Sequence, residues 1–283
     1  MSSYKLSIAK CSTFLTVLNL TQGLKKIMIK KRIVYLYVVF FLLLNEVNSQ
    51  ENKGSKIEPT DPKQTELWQP RVPIVKLDAN GMPSDAIILF DGNSLDAWEH
   101  SDSSEAKWIV NADGSMTVKN KAGGIQTKRK FGSVQLHVEW KSPAEIQGKN
   151  QSRANSGVFL QKRYEIQILD NNNNDTYING QVGSIYKQSI PLVMASVKSG
   201  EWNSFDIIFH APRFDVTGKK IKSGTITVLQ NGVLIQDHFE ILGTTEYIGW
   251  PKNKAHEKAP IYLQDHGDNS RVSFRNIWVR ELD

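Results

Sequence analysis

From residue 134 to residue 140 apolar and polar side chains alternate without a break. Val134, Leu136, Val138 and Trp140 fall on one side, and Gln135, His137 and Glu139 on the other. A period of two belongs to a β-strand with one face buried. Short runs rich in β-branched and aromatic residues follow at 86–90, 115–118, 157–160, 164–169, 202–209, 225–230, 233–239, 261–264 and 272–279, parted by Gly, Asn, Asp and Pro clusters. Asn231-Gly232 predicts a two-residue hairpin, because both central positions of that turn need positive φ. In the last run the apolar positions move from Val272 and Phe274 to Ile277 and Val279, which predicts a bulge near Arg275 and Asn276. No stretch has the spacing and caps of a long amphipathic helix, and no repeat period is visible. The pattern predicts an all-β sandwich.

Two segments precede it. Residues 50–84 are rich in Pro, Lys, Glu and Asp, with isolated apolar anchors at Trp68, Val72 and Val75, and read as an extended arm laid on the domain whose first part is disordered. Residues 1–49 read as a leader: Lys30, Lys31 and Arg32, an unbroken apolar run over 33–44, then a polar exit, which is the order of a secretory signal. Twelve apolar residues are short for a membrane span. Cleavage after Ser49 is therefore expected, with Gln50 opening a mature periplasmic or extracellular chain and no membrane span within it. Met28 is a more natural start than Met1, and an uncleaved anchor is the competing reading. The division is thus 1–49, 50–84 and a domain over 85–283.

Charge changes this picture less than its sign suggests. The net charge is +6, yet residues 1–49 hold seven Lys or Arg against one acid, leaving 28 basic and 28 acidic side chains in the remainder. The excess belongs to the leader, so no nucleic-acid partner is expected. Cys11 is the single cysteine and also lies in the leader. The mature chain would have no disulfide, thiolate nucleophile or Cys-based zinc site.

Three polar clusters sit on or beside strands. In the run 164–169, Glu165 and Gln167 share a face opposite Tyr164, Ile166 and Ile168. A carboxylate beside an amide can bind sugar hydroxyls or act as a base, although a solvent-facing Glu and Gln on an outer sheet fit the same pattern. Gln264-Asp265-His266-Gly267 follows an apolar run, where a loop aims side chains at a cleft; Asp265 or Asp268 would orient His266, and a plain Asp-Gly turn is the alternative. Asn155-Ser156-Gly157 offers an amide and room for close approach, or only a turn. Asn171 to Asn174 read as a solvated loop. His137 with Glu139 supplies two metal ligands without a third, and Arg213 and Arg271 suit sugar oxygens or carboxylates. Most tryptophans are expected in the core, although one exposed beside a cleft would suit a sugar ring. Phosphate-cradling glycine loops, dinucleotide fingerprints, Gly-x-Ser-x-Gly elbows and His-Glu-x-x-His helices are absent.

Taken in order, Leu89-Phe-Asp-Gly-Asn-Ser-Leu95 with Trp98, Asn155-Ser-Gly-Val-Phe-Leu160, Tyr164-Glu-Ile-Gln-Ile-Leu-Asp170, Gly200-Glu-Trp-Asn203, Ala211-Pro-Arg-Phe214, Asn231-Gly232 and Ile261-Tyr-Leu-Gln-Asp-His-Gly267 with Phe274-Arg-Asn-Ile277 resemble the 3-keto-disaccharide hydrolase domain family across residues 84–283. The resemblance implies a concanavalin-like β-sandwich jelly roll, exported by environmental or gut bacteria, acting on an oligosaccharide or glycoside whose sugar has first been oxidised at its third carbon. It implies site positions at Asn155, Glu165, Gln167, Asp170, Gln264 and His266. The run 164–170 also resembles the catalytic strand of laminarinase-like sandwiches, with Gln167 in place of the central acid and Asp170 of the last; this departure argues against a double-displacement glycosidase. A ketone acidifies the neighbouring C–H, so elimination followed by water addition would give net hydrolysis. Glu165 is then expected as base and His266 as acid, with Asn155, Gln167, Asp170, Gln264 and Arg271 binding substrate. No cofactor is expected, and a divalent metal held from separate loops would be invisible to spacing. The competing functions are a non-catalytic carbohydrate-binding module and a structural or interaction domain of an envelope complex.

Overall fold

A computed structural model describes residues 58–79 and 81–283. The expected leader and the first part of the arm lie outside the described residues. The chain divides into two compact units, 1–72 and 73–283. In the first, residues 58–72 are exposed chain with one 3-10 turn, Pro62–Gln64, capped by Asp61.

The second unit is built of antiparallel strands: β1 (Ile87–Phe90), β2 (Trp98–His100), β3 (Ile109–Val110), β4 (Met116–Thr117), β5 (Ile125–Thr127), β6 (Val134–Lys141), β7 (Ser156–Leu160), β8 (Tyr164–Ile168), β9 (Asn203–His210), β10 (Arg213–Phe214), β11 (Lys220–Lys222), β12 (Thr225–Gln230), β13 (Val233–Glu240), β14 (Tyr262–Leu263) and β15 (Ser273–Glu281). One sheet runs β13-β12-β9-β6-β15-β4-β3 with β1 also paired to β15; a second runs β2-β5-β14-β7-β8; β10 and β11 form a small ribbon. This is the expected β-sandwich. Val134, Leu136, Val138 and Trp140 from β6 and Phe205, Ile207 and Phe209 from β9 enter one core with Val158, Ile166 and Leu263 of the smaller sheet. The rings of Tyr164 and Phe209 meet across the two sheets at 5.7 Å.

Local chemistry sets the details. Asn231 and Gly232 take φ of 53° and 79° and join β12 to β13 with Gln230 opposite Val233. The β15–β6 register slips between Arg275 and Trp278, where Asn276 has φ 47°, so the expected bulge forms. It turns Asn276 and Arg275 onto the outer face of β6. There Arg275 Nε donates to Glu139 at 2.6 Å and Asn276 Nδ2 at 2.8 Å, while His137 Nδ1 lies 2.7 Å from Asp206 and its ring stacks on Trp278. Burial pulls the His137 pKa down, but the hydrogen bond to Asp206, the partner Glu139 and both charges carry it up to about 9. Burial raises Glu139, yet hydrogen bonds from His137, Asn276 and Arg275 hold it at about 2. Side-chain partners thus engage the His137 and Glu139 pair weighed as metal ligands.

Candidate active site

The site stands on the outer face of the smaller sheet. In β8 alternation sends Tyr164, Ile166 and Ile168 into the core and Glu165 and Gln167 outward. Cross-strand register then lines up a row: Gln126 opposite Tyr262, Tyr262 opposite Phe159, and Phe159 opposite Glu165. In the neighbouring row Gly157 faces Gln167 and its carbonyl accepts from the Gln264 N–H. A Cβ at Gly157 would come within 2.6 Å of Glu165 Oε1. Glycine is the residue that leaves room for the carboxylate to lie there.

β8 is the edge of its sheet, and its outward face is not left to solvent. Residues 183–186 pair with its free backbone: Gly183 N–H donates to Gln167 O, Gln167 N–H to Ser184 O, and Tyr186 N–H to Glu165 O, at 2.8 to 3.2 Å. This carries Tyr186 and Lys187 over the sheet. From another direction the Glu165 N–H donates to Thr245 Oγ1 at 3.1 Å, tying residues 244–251 to the same strand. Glu165 is consequently only 5% exposed and Gln167 1%, so neither is the solvent-facing residue its pattern also allowed.

The result is a cleft of about 650 Å³ whose walls include Gln151, Asn155, Glu165, Gln167, Gln264 and His266 together with Tyr177, Tyr186, Lys187 and Tyr247. Burial alone pushes the Glu165 carboxyl up to about 8, a value at which it takes up and releases protons near neutrality. Gln167 Nε2 donates to Gln151 Oε1 at 3.1 Å, and Asn155 Nδ2 to Gln151 O at 2.6 Å. The Oε1 atoms of Gln167 and Gln264 are buried and have no hydrogen-bond partner. Buried acceptors left without partners are costly in a finished fold and are suited to a ligand's hydroxyl groups. His266 Nδ1 lies 3.0 Å from Asp268 Oδ2, close enough for attraction though not aligned as a hydrogen bond, and the imidazole is about one-third exposed. Asp265 is engaged elsewhere, accepting from the Gly123 and Gly267 N–H groups. Of the two carboxylates considered as partners, Asp268 is the one at His266.

Glu165, His266, Asn155, Gln167 and Gln264 therefore share one hollow, whereas Asp170 and Arg271 line an adjacent depression of about 280 Å³. Asp170 is buried and accepts from Ser199 Oγ at 2.7 Å and from Asn172, with Arg153 Nε at 3.7 Å. It braces its own loop. Arg271 lies 3.6 Å from Glu145. Asn174, within the run read as a solvated loop, is buried and clamps residue 150 through both backbone groups, fixing the loop that presents Gln151 and Asn155.

Sequence reasoning missed Gln151, Tyr177, Tyr186, Lys187, Thr245 and Tyr247. Lys187 has φ 58°, donates to Tyr247 O at 2.6 Å and stands 4.7 to 5.7 Å from the ring centres of Tyr177, Tyr186 and Tyr247. Tyr177 and Tyr186 share a hydroxyl hydrogen bond of 2.5 Å. Burial first, then the Tyr177 hydroxyl, push the Tyr186 phenol upward. The Glu-Tyr-Ile-Gly-Trp-Pro stretch at 246–251 is the signal that could have drawn attention to these residues, since large apolar side chains grouped in a surface loop mark an interaction site.

Residues 85–280 match the model of the 3-keto-alpha-glucoside-1,2-lyase-like domain. The crystal structure of a candidate glycosyl hydrolase from Parabacteroides distasonis is 53% identical, with 78% of this chain and 97% of that one covered and a TM-score of 0.75. A second candidate glycosyl hydrolase from the same organism is 20% identical over 70% and 94% of the two chains, with a TM-score of 0.53, and shares the fold. No curated protein matches the chain.

Proposed function

Because the chain belongs to the 3-keto-alpha-glucoside-1,2-lyase-like domain family, we propose that it cleaves glycosides bearing a ketone at the third carbon of the glycosyl ring, with Glu165 as the base. The single observation that carries this reading is a buried carboxyl raised to about 8, lying in a cleft against uncommitted amide oxygens. Glu165 takes the proton from C2, whose acidity comes from the C3 ketone, and the electron pair moves into the enolate. The enolate collapses to a C1–C2 double bond as the C1–O bond breaks, and the departing oxygen receives a proton from His266, which Asp268 orients. Water added at C1, with a proton returned to C2, completes net hydrolysis. Gln167, Asn155 and Gln264 hold ring hydroxyls, and the Gln264 amide N–H group is the donor offered to the enolate oxygen.

Glu165→Gln keeps the shape of the side chain and removes the base. Turnover of a 3-keto-α-glucoside should fall by about 10³-fold or more, and solvent deuterium should no longer enter C2 of unreacted substrate, as read by proton NMR. Undiminished exchange and turnover in that variant would remove Glu165 from the role. Export to the periplasm or medium forms part of the same proposal, supported by the leader of residues 1–49, and cell fractionation tests it.

A further inference from the structure

Tyr186 is set beside the base by backbone pairing. Ile166 of β8 and Ile185 form an antiparallel bridge, so Glu165 and Tyr186 stand opposite one another, and the Tyr186 N–H donates to Glu165 O at 3.2 Å. Opposed residues in such a pair send their side chains to the same face, with Cβ atoms about 4.5–5.5 Å apart. Ile166 and Ile185 enter the core, and Glu165 and Tyr186 both line the cleft. The Tyr186 hydroxyl meets Tyr177 Oη at 2.5 Å, with the two rings edge to face. Tyr177 precedes the 3-10 turn Ile178–Gly180, and a Cβ at Gly180 would collide with its ring, so glycine there is what lets the ring reach Tyr186.

The pair holds more protons than it uses. Burial is the first cause raising both phenols, and the charge of Glu165 adds to it, so each keeps its proton at neutral pH. One proton makes the bond between the two oxygens. Among the described residues neither hydroxyl has a further hydrogen-bond partner, which leaves the second proton for a ligand. Lys187 Nζ, 5.7 and 5.5 Å from the two ring centres, adds a positive charge beside them. A spare donor next to a cation favours negative charge developing on a ligand atom. In the reaction proposed above that charge forms on the C3 oxygen, two bonds from the carbon whose proton Glu165 takes. A base works at about 2.6–3.2 Å from its proton's carbon or oxygen and an oxyanion donor at about 2.7–3.1 Å, so the two groups must be neighbours. Asn155 and Gln167 already spend amide N–H groups on Gln151, whereas Tyr186 is the neighbour of Glu165 with a donor to spare.

We propose that Tyr186 is a second catalytic donor to the enolate oxygen, beside Gln264, and that Tyr177 is the residue that positions it. As Glu165 removes the C2 proton, the electron pair of that C–H bond becomes the C2–C3 double bond and the carbonyl π pair moves onto the C3 oxygen. Tyr177 then donates to Tyr186, and Tyr186 to that oxygen. Both protons stay on their phenols, and the bond relaxes when the enolate collapses and the C1–O bond breaks. The inference rests on the reaction assigned above and adds to it the group that stabilises its intermediate.

The test uses the full chain and counts proton abstraction directly, as deuterium released from a 3-keto-α-glucoside labelled at C2 and read by deuterium NMR, beside turnover. Tyr186→Phe keeps the ring and removes the hydroxyl. Release and turnover should both fall about 10²- to 10³-fold, by the same factor for a 4-nitrophenyl and a methyl leaving group, with an unchanged thermal midpoint. Tyr177, which is 41% exposed, tolerates Tyr177→Phe; that change should cost about tenfold through looser placement of Tyr186, and nothing further in the Tyr186→Phe background. Undiminished release in a folded Tyr186→Phe variant overturns the inference. So does a loss confined to the methyl glucoside, since Tyr186 would then be an acid for the leaving oxygen. Should Tyr186→Phe fail to fold, release at the parent rate in Tyr177→Phe overturns it as well. Glu165→Gln tells this failure from that of the reaction: deuterium release that survives Glu165→Gln removes the base, whereas release lost in Glu165→Gln and intact in Tyr186→Phe keeps the base and removes the donor. No release by the unaltered chain removes both.

Discussion

Gly157→Ala offers a direct probe of the proposed catalytic geometry, because it keeps every titrating group and displaces one of them. A Cβ at position 157 would lie 2.6 Å from Glu165 Oε1 and 2.9 Å from Phe159 Cε2, where ordinary contact begins at 3.4 Å. The carboxylate must therefore retreat by about 0.8 Å or swing to another rotamer. Gly157 is not among the residues with positive φ, so alanine suits the backbone there, and the Phe159 ring is a side-chain end that can yield. A misplacement of roughly 1 Å at a reacting group costs on the order of 10²-fold in rate. We expect kcat/KM on a 3-keto-α-glucoside to fall between about ten- and a hundredfold, with a thermal midpoint within a few degrees of the parent. Paired measurements of kinetics and thermal unfolding give both quantities. Full activity in a folded Gly157→Ala variant would refute the reasoning, since it would show that the position of the Glu165 carboxylate is immaterial to turnover.

The raised Glu165 pKa yields two further outcomes. Proton abstraction needs the ionised form, so kcat/KM should rise about tenfold per pH unit toward pH 8; a profile flat below 8 and falling above it would make Glu165 a proton donor instead. The same burial links to stability. A carboxyl at about 8 when folded and 4.5 when unfolded stabilises the fold fully below pH 4.5, and that contribution is lost as the pH rises toward 8. The loss is on the order of 4 kcal/mol, and Glu165→Gln should abolish this slope in denaturant titrations run from pH 5 to 8. His137 stands above its ordinary value, so its contribution is complete below about 6.5 and disappears as the pH passes about 9; His137→Gln should flatten stability across that window while sparing activity. Asp268→Asn should lower kcat by about tenfold with little change in KM, through loss of orientation at His266.

Much of the sandwich was legible because its long strands bury one face and expose the other. The β6 pattern and the Asn231-Gly232 turn are local facts that burial and φ requirements impose on any chain carrying them. The strands that escaped notice, β2, β3, β5, β10 and β11, are two or three residues long, too short to display a period of two, and β5 takes its place from partners as distant as β14. The same distinction divides the site. That Glu165 and Gln167 share a face follows from a period of two, but whether that face meets water depends on residues 183–187 and 244–251, which bond to β8 from later in the chain. Alternation cannot distinguish a strand face open to solvent from one that later loops roof over.

That roof also changes the chemistry. The segment that satisfies the edge backbone of β8 is the one that buries Glu165 and lifts its pKa, and it carries Tyr186 and Lys187 into the cleft. Sheet closure and the raised pKa of Glu165 thus have one structural cause. A sequence change that loosened residues 183–186 should act on both at once: it would let water reach Glu165, draw its pKa down toward 4.5, and shift the pH–rate profile to lower pH without touching an acid or a base. Gly183→Ala is such a change, since glycine there has φ 77° and a Cβ would come within 2.3 Å of Ile235 Cδ1. The profile of that variant, compared with the unaltered chain, tells whether burial tunes Glu165; an apparent pKa left near 8 in a loosened segment would place the cause elsewhere.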